Sequence, residues 1–398
     1  MTTKSLPTPY FMIKEDLLQK DIDLLRTSLE ENWGNYVMGY SVKTNALPWL
    51  LTHLQKQCFY AEIVSDAEYQ LSKHLGFTEQ NMIYNGPIKN QEYFNSFLLQ
   101  GGFLNIDSHD ELAWLQALSL LYPEKNFQVG VRVNFDIAAA CPEEDLIEED
   151  GGRFGFCYEN GALKDAIDLI QSLPNVKVTG LHMHSSSQSR TLHIFAALAR
   201  TACKVAAQYQ LDLSYVDMGG GYYGGRPDKP NYADYFKTIC GELKKQFDPS
   251  KTLLIVEPGV SLISSATTFV TSVVDVKDIR NHRYVVTDGS RTNLNPMVTR
   301  HEYPHHIERK NDNRVTLPSQ WITGFTCMEY DRLFECKDEA ELLPGDRVIY
   351  DTAGGYTMCL NPLFIRYLPS VYVEKTDGEM FMAREQWGIE EFLQKNYY

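Results

Sequence analysis

The sequence has 398 residues, of which 43% are hydrophobic and 22% are charged, and its formal net charge is −15. This length exceeds one ordinary hydrophobic core and predicts two domains. The negative charge argues against nucleic acid and anionic membranes as partners, because both attract clusters of lysine and arginine. No stretch approaches 18 uninterrupted apolar residues, so we expect no membrane-spanning helix.

The cysteines, the histidines and the N-terminal residues bear on disulfides, metal binding and secretion. The eight cysteines include no CxxC pair, which predicts reduced thiols in the cytoplasm rather than a disulfide framework or a zinc site. The first residues lack a positive segment leading into an apolar run, so we expect no signal peptide. His182 and His184 are two residues apart, but no cysteine or carboxylate ligand pattern accompanies them, and we predict no metal.

Strand and helix patterns alternate through the first two thirds of the chain. Residues 8–13 (TPYFMI) read as a strand, and the amphipathic segment 15–32 after it reads as a helix. Eight apolar, β-prone runs then alternate with helical segments, and the runs end near Tyr40, Val64, Tyr84, Asp107, Val133, His184, Met218 and Glu257. Continuous apolar strands in such an alternation are typical of a buried parallel sheet. Eight units predict an α/β fold with a (β/α)8 TIM barrel over residues 14–260.

The pattern changes after about residue 260. β-branched runs such as TTFVTSVVDVKDI and RYVVTD are separated by glycine and proline turns, which predicts a mainly antiparallel C-terminal β-domain over residues 261–398. We expect residues 1–13 to add a strand to this domain. The acidic segment 141–153 is predicted to be a solvated loop or lid.

Four features fall where predicted barrel strands end, which is where barrel enzymes place catalytic groups. They are Lys43, His184, Gly219 to Gly221, and Glu257. Burial lowers the pKa of an amine, so a lysine at a strand end could act as a nucleophile at neutral pH. The alternative is a surface lysine whose stem packs on the protein.

The other three features fit an anionic, aromatic ligand. Consecutive glycines let backbone N–H groups approach a phosphate, although glycines in turns are common. A buried Glu257 needs a partner, and a protonated pyridine nitrogen would be one. His184 could stack on a flat ring, with the serines after it offering hydroxyls to phosphate; the alternative is a core histidine with a satisfied hydrogen bond.

Seven motifs occur in an order that resembles the alanine racemase-like (fold type III) pyridoxal-phosphate-dependent decarboxylases, in particular the diaminopimelate and ornithine decarboxylases. They are YSVKTN, RFG, LHMHSSSQ, DMGGGYYGG, VEPG, CMEYD and DTAGGYT, and the resemblance spans residues 8–385. It implies a homodimer with shared active sites and pyridoxal 5'-phosphate as cofactor. The implied reaction takes an amino acid, a small-molecule substrate, through an external aldimine, loses CO2 and reprotonates Cα.

The resemblance also implies roles for individual residues. Lys43 would form the Schiff base, Glu257 would bond the ring nitrogen, and Cys327 would return a proton to Cα, which makes these three the catalytic candidates. The other candidates for cofactor binding are Arg132, His184, Ser187, Gly219, Gly220, Gly221, Gly259 and Tyr356. Asp331, Met328 and Tyr356 are candidates for substrate binding, and Cys327 and Asp331 would cross a dimer interface into the neighbouring subunit's site.

Three positions depart from the family pattern. Val260 stands where the family has arginine after EPG, and Ser186 replaces the glycine of HxGS. Met328 stands where an acidic residue reads the distal amine of the substrate. We predict that Glu329 cannot replace that residue, because successive side chains on a strand point to opposite faces.

These departures bear on the substrate and on the alternatives. We expect ornithine, lysine and diaminopimelate to be poor substrates, and a neutral, acidic or conjugated distal group to be preferred. Arg291 and Arg300 are candidates to bind a second carboxylate, and exposed loop arginines are the alternative. The alternative functions are an amino-acid racemase of the same fold and a noncatalytic homologue that binds the cofactor. Glu257 disfavours the racemase, because related racemases place arginine at the ring nitrogen.

Overall fold

The structure is a computed structural model that describes residues 6–144, 152–185, 190–299 and 302–397. It divides into two compact units. One is Ile22–Ser261, and the other comprises the residues up to Asp21 together with those from Leu262 onward.

The secondary structure follows in chain order. The strands are β1 (Tyr10–Lys14), β2 (Tyr36–Ser41), β3 (Tyr60–Ile63), β4 (Met82–Tyr84), β5 (Phe103–Ile106), β6 (Phe127–Asn134), β7 (Phe156–Cys157), β8 (Val176–His182), β9 (Tyr215–Asp217), β10 (Leu253–Val256), β11 (Thr267–Ile279), β12 (His282–Thr287), β13 (His305–Glu308), β14 (Thr316–Thr323), β15 (Arg332–Ala340), β16 (Arg347–Tyr350), β17 (Ser370–Glu374) and β18 (Met380–Arg384). The helices are α1 (Glu15–Asn32), α2 (Pro48–Lys56), α3 (Asp66–His74), α4 (Gln91–Gln100), α5 (His109–Leu121), α6 (Ile137–Ala140), α7 (Ala162–Ser172), α8 (Leu192–Gln208), α9 (Tyr232–Leu243), α10 (Val260–Ile263), α11 (Arg291–Leu294) and α12 (Ile389–Leu393).

The unit Ile22–Ser261 contains a closed parallel barrel. Its strands run in the order β5-β4-β3-β2-β10-β9-β8-β6, and β5 pairs with β6 to close the ring. This confirms the predicted (β/α)8 barrel, and the strands end within a few residues of the predicted positions. The helices cover the strands through apolar stripes at helical spacing, as in α7, where Leu163, Ala166, Ile167 and Ile170 are buried.

The second unit contains a mainly antiparallel sheet, which confirms the predicted class of the β-domain. Its order is β15-β14-β12-β11-β1-β17-β18, with β16 pairing with β11 and β13. β1 pairs antiparallel with β11 and parallel with β17. A core cluster of Leu6, Tyr10, Met12, Val270, Ile349 and Tyr372 packs on this sheet.

Two further observations concern the whole described chain. No helix within the described residues is both long and apolar enough to cross a membrane. All eight cysteines are free thiols. The predicted acidic lid over 141–153 falls largely on residues 145–151, which lie outside the described ranges.

Candidate active site

Lys43 lies on a short 3-10 turn, Val42–Thr44, directly after β2. Its Nζ is 2.6 Å from Oε2 of Glu62 and 3.2 Å from Oγ of Ser41. The Lys43 side chain is 37% exposed, whereas that of Glu62 is 1% exposed. The turn therefore presents an accessible amine held by a buried carboxylate.

Glu257 follows β10 and is also buried. Its Oε1 accepts a hydrogen bond of 2.7 Å from the Nδ2 amide of Asn85, and the same nitrogen donates to Oε1 of Glu62 at 3.1 Å. Asp217, at the end of β9, lies close to Glu257, with carboxyl oxygens of the two within 4.8 Å. Burial and the adjacent negative charge of Glu257 raise the pKa of Asp217 well above its usual range.

Two histidines lie near this carboxylate. His182 is buried, its Nε2 is 3.6 Å from Oε2 of Glu257, and neither ring nitrogen has a hydrogen-bond partner within the described residues. His184 lies nearly parallel to His182, with ring centroids 6.2 Å apart and an interplanar angle of 12°. Burial of the ring and the nearby Arg132 charge lower the pKa of His184 to about 3, so this imidazole is neutral and offers an uncharged face.

The glycine segment after β9 needs residues without a side chain. Gly219 and Gly221 have positive φ angles of 60° and 95°. A Cβ at Gly220 would lie 2.2 Å from the carbonyl oxygen of Glu257. The backbone N–H of Gly220 donates to Nδ1 of His184 at 3.3 Å. The segment is thus a close backbone layer against the histidine and the carboxylate.

Two more predicted residues are fixed by local contacts. Nη1 of Arg132 lies 3.3 Å from Oδ2 of Asp107, and its guanidinium lies 4.6 Å from the Phe154 ring centroid. A Cβ at Gly259 would lie 2.1 Å from Oγ1 of Thr44, which places this glycine against the Lys43 turn. Ser187 and Ser186 lie outside the described residues.

The comparisons with known proteins bear on this arrangement. Residues 19–264 match the family described as pyridoxal-dependent decarboxylase, pyridoxal binding domain. The chain belongs to this family. It is an enzyme that removes the carboxyl group of an amino acid as CO2, and its cofactor is pyridoxal phosphate. The racemase and the noncatalytic homologue are not supported.

Relatives of the decarboxylase match along most of the chain. A diaminopimelate decarboxylase of Bacteroides thetaiotaomicron is 24% identical over 89% of this chain and 92% of its own length. An L-glutamyl-[BtrI acyl-carrier protein] decarboxylase of Niallia circulans is 23% identical over 96% of this chain and 92% of its own. A crystal structure of diaminopimelate decarboxylase from M. jannaschii has a TM-score of 0.85 at 21% identity and covers 99% of this chain and 93% of that one.

The barrel residues of the decarboxylase fit this cofactor. The phosphate needs a backbone without side chains in its way, and a Cβ at Gly221 would meet no other atom nearer than 3.9 Å, so there is space beside this glycine. The protonated pyridine nitrogen needs a buried anion, which Glu257 is positioned to supply. Both ring nitrogens of His182 are buried without partners within the described residues, as expected beside a polar ligand.

The β-unit places the remaining predicted residues. Cys327 is exposed and Met328 is half-buried in the connection between β14 and β15. The prediction that Glu329 lies on a strand is wrong, because Asp331 N donates to the Met328 carbonyl at 2.9 Å and closes a turn. Alternation along a strand therefore does not separate the Glu329 side chain from that of Met328. Its side chain is nevertheless 98% exposed and lies 3.7 Å from Nη2 of Arg332.

Asp331, Arg291 and Tyr356 differ in their surroundings. The buried carboxylate of Asp331 accepts hydrogen bonds from Ser290 Oγ, from Arg291 N, and from both N and Oγ1 of Thr326. Nη1 of Arg291 donates to the Tyr330 carbonyl at 3.0 Å. Tyr356 has a positive φ of 55°. Arg300 lies outside the described residues.

Sequence reasoning missed part of the site. It assigned no role to Glu62, Asn85, Asn105 or Asp217, although all four are buried in the barrel. It also treated His182 as lacking carboxylate neighbours, whereas ligand atoms of His182, Asp217 and Glu257 lie within 4.8 Å of one another. The absence of a metal stays a prediction. A charged residue inside the apolar run YAEIV was the available signal for Glu62.

Proposed function

We propose that Lys43 bonds the cofactor covalently and that Glu257 holds its ring nitrogen in the protonated state. The proposal is carried by the continuous hydrogen bonds that join Lys43, through Glu62 and Asn85, to Glu257. Bound there, pyridoxal phosphate supplies the electron sink for breaking the bond between Cα and the carboxylate.

The protein's contribution is orientation and charge. Glu62 orients the Lys43 amine through a contact of 2.6 Å. Glu257 offers one buried negative charge, which a protonated ring nitrogen would offset. The neutral imidazole of His184 would pack against the flat ring of the cofactor without adding a positive charge. The phosphate would lie against the glycine backbone of Gly219 to Gly221, with Arg132, Gly259, Tyr356 and Ser187 as further cofactor contacts.

We propose that the enzyme is a two-fold dimer in which Cys327 of one subunit returns the proton to Cα in the other. The exposure of Cys327 on the turn anchored by Asp331 supports this assignment. The test mixes inactive Lys43→Ala and Cys327→Ala subunits, because a hybrid dimer would contain one unmutated site. Partial recovery of activity is expected. No recovery despite demonstrated subunit exchange would contradict a shared site.

We further propose that the substrate's distal group is not an amine. Met328 provides no charge for a distal ammonium, and an unpaired ammonium in a closed site is costly. Arg291, held beside this turn by the Tyr330 carbonyl, is a cation able to bind a carboxylate or an acyl group. The relative from Niallia circulans, whose name gives a glutamyl group on an acyl-carrier protein as its substrate, supports a distal group other than an amine.

The experiment is a screen for CO2 release from the purified protein. Ornithine, lysine and diaminopimelate are compared with glutamate and with a thioester of the glutamate γ-carboxyl. Each is tested on the unmodified enzyme and on Met328→Glu. We expect the unmodified enzyme to favour the acidic or acylated group, and the variant to gain activity on diamino acids. A preference of the unmodified enzyme for a diamino acid by about 10²-fold, equivalent to about 2.7 kcal/mol, would refute the substrate proposal.

A further inference from the structure

A directed network of hydrogen bonds fills the polar interior of the barrel. The Tyr215 hydroxyl donates to Oδ1 of Asn105 at 3.0 Å. The Asn105 amide nitrogen donates to Oδ1 of Asn85 at 2.8 Å and to Oδ2 of Asp217 at 3.1 Å. The network then continues to Glu62 and Glu257 through the Asn85 amide nitrogen. The donors therefore point from the Tyr215 hydroxyl through the two amides to the carboxyl groups of Asp217, Glu62 and Glu257.

Asn85 occupies the branch point of this network. Its amide nitrogen carries two hydrogens, and both are used, on Oε1 of Glu62 and on Oε1 of Glu257. All three side chains are almost fully buried. A buried carboxylate is costly unless hydrogen-bond donors satisfy it. The single amide of Asn85 therefore stabilises both carboxylates.

The other contacts of the two carboxylates leave Asn85 with a specific task. Oε2 of Glu62 is used by Ser41 and Lys43, both at the Lys43 end of the network. Glu257 has the Asp217 carboxyl and the His182 ring as its other polar neighbours, with ligand atoms of the three within 4.8 Å of one another. Asn85 thus joins the two carboxylates through a single amide nitrogen.

We propose that Asn85 is a positioning residue that couples Glu62, the partner of Lys43, to Glu257. The proposal rests on the roles proposed above for Lys43 and Glu257. Because both carboxylates are hydrogen-bonded to the same amide, a displacement of one disturbs the other. The Lys43 side of the site and the Glu257 side are therefore held at a fixed distance. Loss of this amide acts on catalysis through Glu257 rather than through a direct contact with the reacting atoms.

A double-mutant cycle tests the coupling. Asn85→Ala is expected to lower kcat/KM about 10- to 100-fold, the worth of a hydrogen bond to a charged group, and to weaken pyridoxal phosphate binding measured by absorbance titration. In a Glu257→Gln background the same change is expected to cost less than about 3-fold in both quantities. If Asn85→Ala instead lowers both quantities by the same factor with and without Glu257→Gln, the two side chains act independently, and the proposal is overturned.

Asn175 provides a matched control. It is a buried asparagine just before β8, at the opposite end of the strands, and its amide nitrogen donates to the carbonyls of Ser119, Tyr122 and Lys125. Asn175→Ala is expected to lower the melting temperature at least as much as Asn85→Ala while cofactor affinity and kcat/KM stay unchanged. Equal losses of affinity in the two variants would assign the Asn85 effect to stability and overturn the proposal.

Two further outcomes separate the possible failures. If Glu257→Gln alone leaves turnover unchanged, the proposed role of Glu257 fails; if it is impaired while Asn85→Ala is not, only the coupling fails. If Asn85→Ala does not fold, Glu62→Gln and Glu257→Gln replace it, because both keep the size of the side chain. If the loss of kcat/KM in the double variant is smaller than the product of the two single losses, the coupling through Asn85 is supported. If it equals that product, the coupling is overturned.

Discussion

The carboxyl group of Glu68 gives the barrel a pH-dependent stability with a defined sign. It lies in the first turn of α3, and its Oε2 accepts the Val64 N–H at 2.7 Å. Burial, reinforced by the negative charge of Glu62, raises the pKa of Glu68 from 4.5 to about 7. The folded chain therefore holds this proton more tightly than the unfolded chain. The resulting stability is complete below about pH 4.5 and is lost as the pH rises through about 7.

The magnitude follows from the two pKa values. Since one pKa unit is worth about 1.4 kcal/mol, the ionised group costs at most about 3 kcal/mol above pH 7. The side chain is only partly buried, so solvent screening lowers the expected cost to about 1–3 kcal/mol. Glu68→Gln cannot ionise, and its amide oxygen can still accept the Val64 N–H. The variant should therefore be more stable than the parent at pH 8, with about 1 kcal/mol of the gain developing between pH 6 and pH 8.

Urea unfolding at pH 6 and pH 8 measures this difference and avoids the isoelectric region near pH 5.2. Asp66→Asn is the control, because Asp66 is an exposed carboxyl in the same helical turn. Its effect on the free energy of unfolding should be small and similar at both pH values. An equal change for Glu68→Gln at pH 6 and pH 8 would refute the reasoning.

Three other substitutions have expected outcomes. Glu257→Gln should keep the absorbance of the bound cofactor but lose about 10²-fold in kcat, because a neutral amide cannot hold a protonated ring nitrogen by charge; unchanged turnover would make Glu257 structural. Asp331→Ala should lower the free energy of unfolding, measured by urea unfolding, by about 2–4 kcal/mol, because four donors lose their buried acceptor. A loss below about 1 kcal/mol would contradict this. Lys89→Met should lower the free energy of unfolding by about 3–5 kcal/mol, because it leaves the buried Glu111 carboxylate without its ion partner at 2.8 Å. Adding Glu111→Leu should recover part of that loss. Failure of the double variant to recover would point to packing instead.

The barrel could be predicted because its signal is local and repeated. Each strand is a continuous apolar run, and helices with one apolar face lie between them, so eight units are visible without knowledge of any contact. The strand β7 was missed because two residues are too few to show a period. The β-branched runs that form β11 and β12, with the turns between such runs, likewise predicted that the second unit is a β-domain.

The polar interior of the site could not be predicted in the same way. Glu62, Asn85, Asn105 and Asp217 come from different strands or the turns that follow them, and only closure of the barrel brings their side chains together. Motif reading finds reactive residues such as Lys43 and overlooks the amides that position them. The turn at Met328 was misread as strand because the buried Asp331 carboxylate, which anchors Thr326, overrides the local β pattern.

The most direct test of the central claim is to locate the covalently bound cofactor. The purified protein with pyridoxal phosphate is reduced with borohydride, digested, and its peptides are weighed by mass spectrometry. We expect the phosphopyridoxyl group on the peptide that contains Lys43, and no such label in Lys43→Ala. A label on another lysine, such as the buried Lys89, or a labelled Lys43→Ala protein would contradict the assignment of this site.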